Sequence, residues 1–134
     1  LGYGPDTPTG TGGIPNSVAI KFDLYSNAGE GNDSTGLYTG GASPTIPAIN
    51  LAPSGIVLTK GDLMVANITY DGATLTLTLT DQTTSKTFTQ SFAVNIRAAV
   101  NANSAYMGFT GGTGGYTAAQ KILNWTYTQT ALTQ

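Results

Sequence analysis

The chain has 134 residues, a formal net charge of −2, 9% charged residues, and neither cysteine nor histidine. That length holds one domain at most, able to bury roughly 68% of its unfolded surface if it folds alone. The missing residue types exclude the common zinc sites, thiol nucleophiles and Ser-His-Asp triads, and five scattered basic residues form no patch for a phosphate backbone, so nucleic acid is not an expected partner.

Residues 1–16, beginning "LGYGPDTPTGTGGIP", read as a loop entering the first strong strand. Period two then dominates the chain, and helical periodicity is nearly absent. Val18, Ile20, Phe22 and Leu24 share one strand face, which puts Ala19, Lys21, Asp23 and Tyr25 on the other. The strand runs into a loop rich in oxygen-bearing side chains, "SNAGEGNDS", and that loop is either an ordinary polar turn or a holder for a metal ion with a sugar beside it.

After a Gly/Pro-rich passage from Gly40 to Gly55, "DLMVANITY" and "ATLTLTLTD" flank Asp71-Gly72. Asp-Gly tolerates the positive φ of a tight hairpin turn. Leu75, Leu77 and Leu79 face one way and Thr74, Thr76, Thr78 and Thr80 the other, the pattern of a half-buried antiparallel strand. "KTFTQSFAVNI" alternates less cleanly. "SAYMGFT" and "KILNWTYTQ" read as two further strands joined by "GGTGGYTAAQ", which carries a turn or one short helical turn. Six or seven strands imply a sandwich or part of one, with Val18, Ile20, Phe22, Leu24, Leu75, Leu77, Leu79, Phe109, Ile122 and Trp125 as its core.

Taken in order, "NSVAIKFDLYSN", "ITYDGATLTLTL", "AYMGFTGGTGG" and "ILNWTY" resemble the successive landmarks of legume-type (L-type) lectin domains, closest in look to the bacterial secreted branch. The resemblance implies an all-β fold, an antiparallel jelly-roll β-sandwich of the concanavalin A-like kind, and a single lectin-like domain over residues 1–134. It also implies a glycan as partner. In that family a D-x-[FY]-x-N stretch supplies calcium ligands, here Asp23, the Tyr25 carbonyl and Asn27, with Glu30 or Asp33 as the later acidic ligand. Calcium accepts such a mixed set of oxygens.

The family's second, transition-metal site would need a glutamate where Lys21 stands and a histidine that this chain lacks, so no transition metal is expected. The Lys21 ammonium either offsets repulsion among the carboxylates or makes calcium unnecessary. For the sugar, the resemblance implies Asn27 as a hydroxyl donor, Tyr25 as a ring against an apolar sugar face, and Gly114, Gly115 and Tyr116 from the "GGTGGY" loop. Ordinary strand packing of Tyr25 and a plain glycine turn are the competing readings.

The family's opening strands precede the stretch that "LGYG" resembles, and such domains run to about 200–250 residues. The domain is therefore read as partial, with its sheets completed by another chain, either an N-terminal fragment or a further copy. "GGTGG" lacks the Gly-Lys-Ser/Thr ending of a phosphate loop, and the sequons at Asn32, Asn67 and Asn124 are common in a Thr-rich chain. Asp62, Asp71 and Asp81 occupy turns, which leaves a two-carboxylate glycosidase only Asp23, Glu30 and Asp33. A secreted or extracellular, non-enzymatic carbohydrate-binding domain is the leading expectation, one that would serve equally as accessory module to a glycan-processing enzyme. A structural or adhesive subunit that assembles by strand addition and has lost sugar binding is the alternative. No apolar run reaches the ~18 residues of a membrane helix, and Leu1 opens no signal peptide, as in mature material.

Overall fold

A computed structural model describes residues 1–130 of the chain; the last four residues of the expected domain, 131–134, lie outside the described residues. Six strands and one short α-helix follow in order: β1 (Val18–Asp23), β2 (Ser34–Thr39), β3 (Ile49–Asn50), β4 (Met64–Tyr70), β5 (Thr74–Asp81), β6 (Thr87–Ala93) and α1 (Ile96–Val100). They make two antiparallel three-stranded sheets, β1-β2-β3 and β4-β5-β6. The protein is thus an all-β sandwich, with Ile20 and Phe22 of the first sheet packed on a core centred in the second.

The Thr/Leu alternation of β5 builds that core. Leu77 and Leu79 are buried with Leu51 and Ile56, and Leu58, Met64, Phe88 and Phe92 close around them. Each leucine so covered contributes roughly 1.5–3 kcal/mol relative to exposure. The outward threonines pair across the ladder instead, with Thr76 and Ser91 hydroxyls 2.8 Å apart and those of Thr78 and Thr89 3.3 Å apart.

The β4–β5 hairpin forms one residue later than the Asp-Gly pattern suggests. Asp71 pairs with Thr74 through its backbone N–H (3.2 Å), so Gly72 and Ala73 are the central pair. The Asp71 carboxylate accepts from the amides of Ala73 (2.9 Å) and Thr74 (2.7 Å). Gly72 has φ of +100° and open space where a Cβ would go. Gly72→Ala is therefore expected to cost about 1–2 kcal/mol through backbone strain alone, read as a lower urea midpoint with an unchanged slope.

The second sheet is only partly covered. Register sets Ile68 opposite Leu77 and Tyr70 opposite Leu75, so both stand on the inner face, yet Ile68 is 47% exposed where Leu77 is fully buried. At its start β4 still packs on the core through Met64; the cover does not extend to Ile68. Tyr70 instead donates to the carbonyls of Gly72 (2.7 Å) and Val94 (3.0 Å), tying the hairpin to the chain entering α1. Asn95 caps that helix by accepting from Ala98 N–H (2.9 Å).

The segments "SAYMGFT" and "KILNWTYTQ" depart from expectation. Neither carries a strand or helix among the described residues. Phe109, Ile122 and Trp125, expected in the core, are 59%, 57% and 53% exposed. Phe109 and Trp125 meet edge to face, with ring centroids 5.9 Å apart. Alternation supplies only a face; a strand also needs a neighbour for its backbone groups, and neither segment joins a sheet edge. Val18, Ile20, Phe22 and Leu24 are half-buried. Residues 1–16 carry neither strand nor helix, and Tyr3 among them is buried, its hydroxyl 2.9 Å from the Ser17 hydroxyl and accepting from Gly41 N–H (3.1 Å).

Candidate functional site

The loop from Leu24 to Asp33 joins β1 to β2. Asp33 N–H donates to the Leu24 carbonyl (3.2 Å) at its neck, and positive φ at Gly29, Gly31 and Asp33 lets nine intervening peptide units turn within it. Glu30 folds back into the loop: its carboxylate accepts from the amides of Asn27 (3.0 Å) and Ala28 (2.5 Å). Asn32 Oδ1 accepts from Ser26 N–H (3.0 Å). Burial raises the Glu30 carboxyl, but the amides of Asn27, Glu30 and Ala28, with the Lys21 ammonium, outweigh it and hold it below the usual carboxylate range.

A carboxyl lowered in the folded state contributes stability above its unfolded value, and that contribution is lost as pH falls through the folded one. Acid unfolding of Glu30→Gln is accordingly expected to begin from a lower plateau and to be shallower than that of the wild type. Urea midpoints measured from neutral pH into the acid range check this.

Directly opposed residues in an antiparallel pair share a face, so the register of β1 and β2 puts Lys21, Asp23, Ser34 and Tyr38 together on the face away from the core. That face is buried, not wet. Lys21 Nζ donates to Asp23 Oδ2 (3.4 Å) and to the Thr45 carbonyl (3.0 Å), and lies 5.7 Å from the centre of the Tyr38 ring. Tyr38 donates to the Pro47 carbonyl (2.6 Å), and burial, then the charges of Asp23 and Glu30, push its phenol up to about 12. Gly36, opposite Lys21, leaves room for the Tyr38 hydroxyl, which a Cβ there would meet at 2.7 Å. The Ser34 hydroxyl, fully buried opposite Asp23, is the one buried side-chain polar atom without a partner among the described residues.

The carboxylates expected around calcium are directed to different places. Asp23 faces Lys21, Glu30 serves its own loop, and Asp33 accepts from the Thr59 amide (3.0 Å) and hydroxyl (3.5 Å) in the short 3-10 turn Leu58–Lys60. Among the described residues no three His, Cys, Asp or Glu side chains gather as a metal-holding group. With an ammonium already against Asp23, the arrangement does not fit a calcium cage.

The residues considered for sugar contact come from two loops that meet. Tyr25 and Tyr116 stack with ring centroids 5.0 Å apart and planes inclined by 28°. Tyr116 is 71% exposed and Tyr25 lies at the margin of exposure, so the pair presents an aromatic surface to solvent. Asn27 is exposed two residues beyond Tyr25. Gly114 and Gly115 precede Tyr116, and open space lies where a Cβ would go on either. The loop is tethered by Thr110, whose hydroxyl donates to the Leu1 carbonyl (3.0 Å), and by Gln120, whose amide donates to the Gly112 carbonyl (3.3 Å).

Sequence reasoning passed over Tyr38, Thr45 and Thr59. Only Thr45 left a legible trace, the Gly/Pro-rich passage after β2 whose backbone closes over Lys21. Asp71 and Asp81 cap turns as expected; Asp81 accepts from the amides of Thr83 (2.8 Å) and Thr84 (3.1 Å). No helix among the described residues is long and apolar enough to cross a membrane.

In a comparison with protein families, residues 11–134 match the legume lectin domain. Neither a curated protein nor a solved structure matches the chain significantly.

Proposed function

The chain belongs to the legume lectin domain family, and from that premise we propose that it binds carbohydrate where the Leu24–Asp33 and Gly111–Tyr116 loops meet. The Tyr25–Tyr116 stack beside an exposed Asn27 carries this reading. A sugar offers an apolar ring face edged with hydroxyls, and an exposed aromatic ring next to a side-chain amide answers both features. Tyr116 takes the apolar face and the Asn27 amide exchanges hydrogen bonds with hydroxyls. Glu30, by holding the amides of Asn27 and Ala28, orients that part of the loop before ligand arrives, which lowers the ordering cost of binding.

The reading is of binding without catalysis. Asp23, Glu30 and Asp33 each hold internal donors, a poor state for a general acid and base pair. The low charge and Thr/Gly-rich composition support a secreted or extracellular protein, and the look of its ordered motifs supports the bacterial lectin-like branch.

A glycan array tests the proposal. Saturable wild-type binding should fall at least tenfold in Tyr116→Ala and in Asn27→Ala, while both variants melt as the wild type does. Equal binding by Tyr116→Ala would reject the site.

A second reading is favoured by the exposure of Ile68 on the inner face of β4 and of Tyr106, Met107, Phe109, Ile122, Leu123 and Trp125 beyond α1. Apolar side chains beside unpaired strand edges invite strands from another chain. Here the chain is the C-terminal portion of a lectin domain, completed by a preceding segment of that domain or by a second copy. Sedimentation at micromolar concentration separates the readings: a 13.7 kDa monomer with a cooperative melt sinks strand completion and leaves carbohydrate binding untouched.

A further inference from the structure

We propose that Lys21 is the built-in cation at the base of the β1–β2 loop, its ammonium pairing the Asp23 carboxylate that would otherwise call for a calcium ion. The first observation is burial. The Lys21 side chain is 3% exposed and the Asp23 side chain 9%, and an ammonium so far from water persists only when paired and hydrogen-bonded. Lys21 meets that condition with Asp23 Oδ2 and the Thr45 carbonyl, beneath the face of Tyr38.

The second observation is where the charge stands. Lys21 and Asp23 stand together on β1 at the root of the loop, and Glu30 lies within the loop, accepting from the amides of Asn27 and Ala28. Two carboxylates and one ammonium leave a single net negative charge there. A divalent ion placed between Asp23 and Glu30 would stand against the ammonium in a poorly solvated space, so the two cations compete for one position. Asp33, turned to Thr59, contributes nothing to hold the second.

The third observation is mechanical. The Thr45 carbonyl belongs to the passage after β2 that closes over β1, so Lys21 ties the first strand to that covering segment, and Tyr38 of β2 donates to the same carbonyl. Lys21 acts as a positioning residue: it sets the base of the loop that presents Tyr25 and Asn27 without touching a ligand. The inference concerns how the loop is held, and it stands or falls apart from carbohydrate binding because its readouts are calcium heat and melting temperature.

The experiment uses the full chain after exhaustive chelation, with calcium chloride as the probe. Calorimetric titration of the wild type should give no binding heat, and millimolar calcium should leave its melting temperature unchanged. Lys21→Met should melt lower than the wild type and regain a rise in melting temperature on calcium addition, a response that loss of packing alone does not produce. Lys21→Arg, which keeps the charge, should remain indifferent to calcium. A saturable heat with a raised melting temperature in the wild type overturns the proposal, and that arm needs no variant to fold. A Lys21→Met protein that melts like the wild type, with or without calcium, overturns it equally.

Discussion

Leu77→Ala is expected to lower the unfolding free energy by about 2–5 kcal/mol, the range for emptying a leucine site in a packed core. Leu77 is fully buried at the centre of β5, where Leu51 and Ile56 from the connection between the sheets meet it together with Leu79. Few routes exist for the site to collapse, since its neighbours are held by ladders on both sides of β5. Urea unfolding with unchanged slope checks the value. Ile68→Ala provides the contrast within the same register pair. On the isolated chain its side chain is 47% exposed, and its loss should cost well under half as much as that of Leu77. Equal costs would mean that the inner face of β4 is covered in solution by another chain, which ties this measurement to strand completion.

Tyr38→Phe is expected to remove most of the alkaline sensitivity of the fold. Burial, followed by the negative fields of Asp23 and Glu30, raises the Tyr38 phenol to about 12 from an ordinary value near 10. A raised folded value means the native state holds the phenolic proton more tightly than the unfolded chain does. The contribution is whole below pH ~10 and is lost as pH climbs toward ~12. Two units correspond to roughly 2–3 kcal/mol at the upper limit. The structural cause is that an ionised Tyr38 loses its donation to the Pro47 carbonyl (2.6 Å) and sets a third negative charge beside two carboxylates. Urea midpoints of wild type and Tyr38→Phe from neutral to strongly alkaline pH provide the check. A Tyr38→Phe protein that loses stability as steeply as the wild type would assign the loss to another group.

The strands that sequence could place are those in which both requirements of a ladder lie close in the chain. Val18–Asp23 finds its partner a single loop away in Ser34–Thr39, and Thr74–Asp81 has one at each side across short connections. Alternation and turn chemistry then suffice, and the all-β class and the buried leucines of β5 follow from them. The same alternation in "SAYMGFT" and "KILNWTYTQ" misled, because it describes a face and is silent about whether an edge is available to receive it.

In the candidate site, sequence determined the chemical types: Tyr25, Asn27, Glu30, Asp33 and Lys21 were all legible as the equipment of one loop region. Tertiary structure decided what each of them does. The burial of Lys21 depends on a covering passage more than twenty residues away, the turning of Asp33 on the amide of Thr59, and the stack of Tyr25 with Tyr116 on a loop some ninety residues on. Local pattern carries hydrophobicity and backbone conformation, which act between neighbours in the chain; a charge's partner is set by whichever distant backbone excludes water around it, and only the folded chain brings that backbone into place.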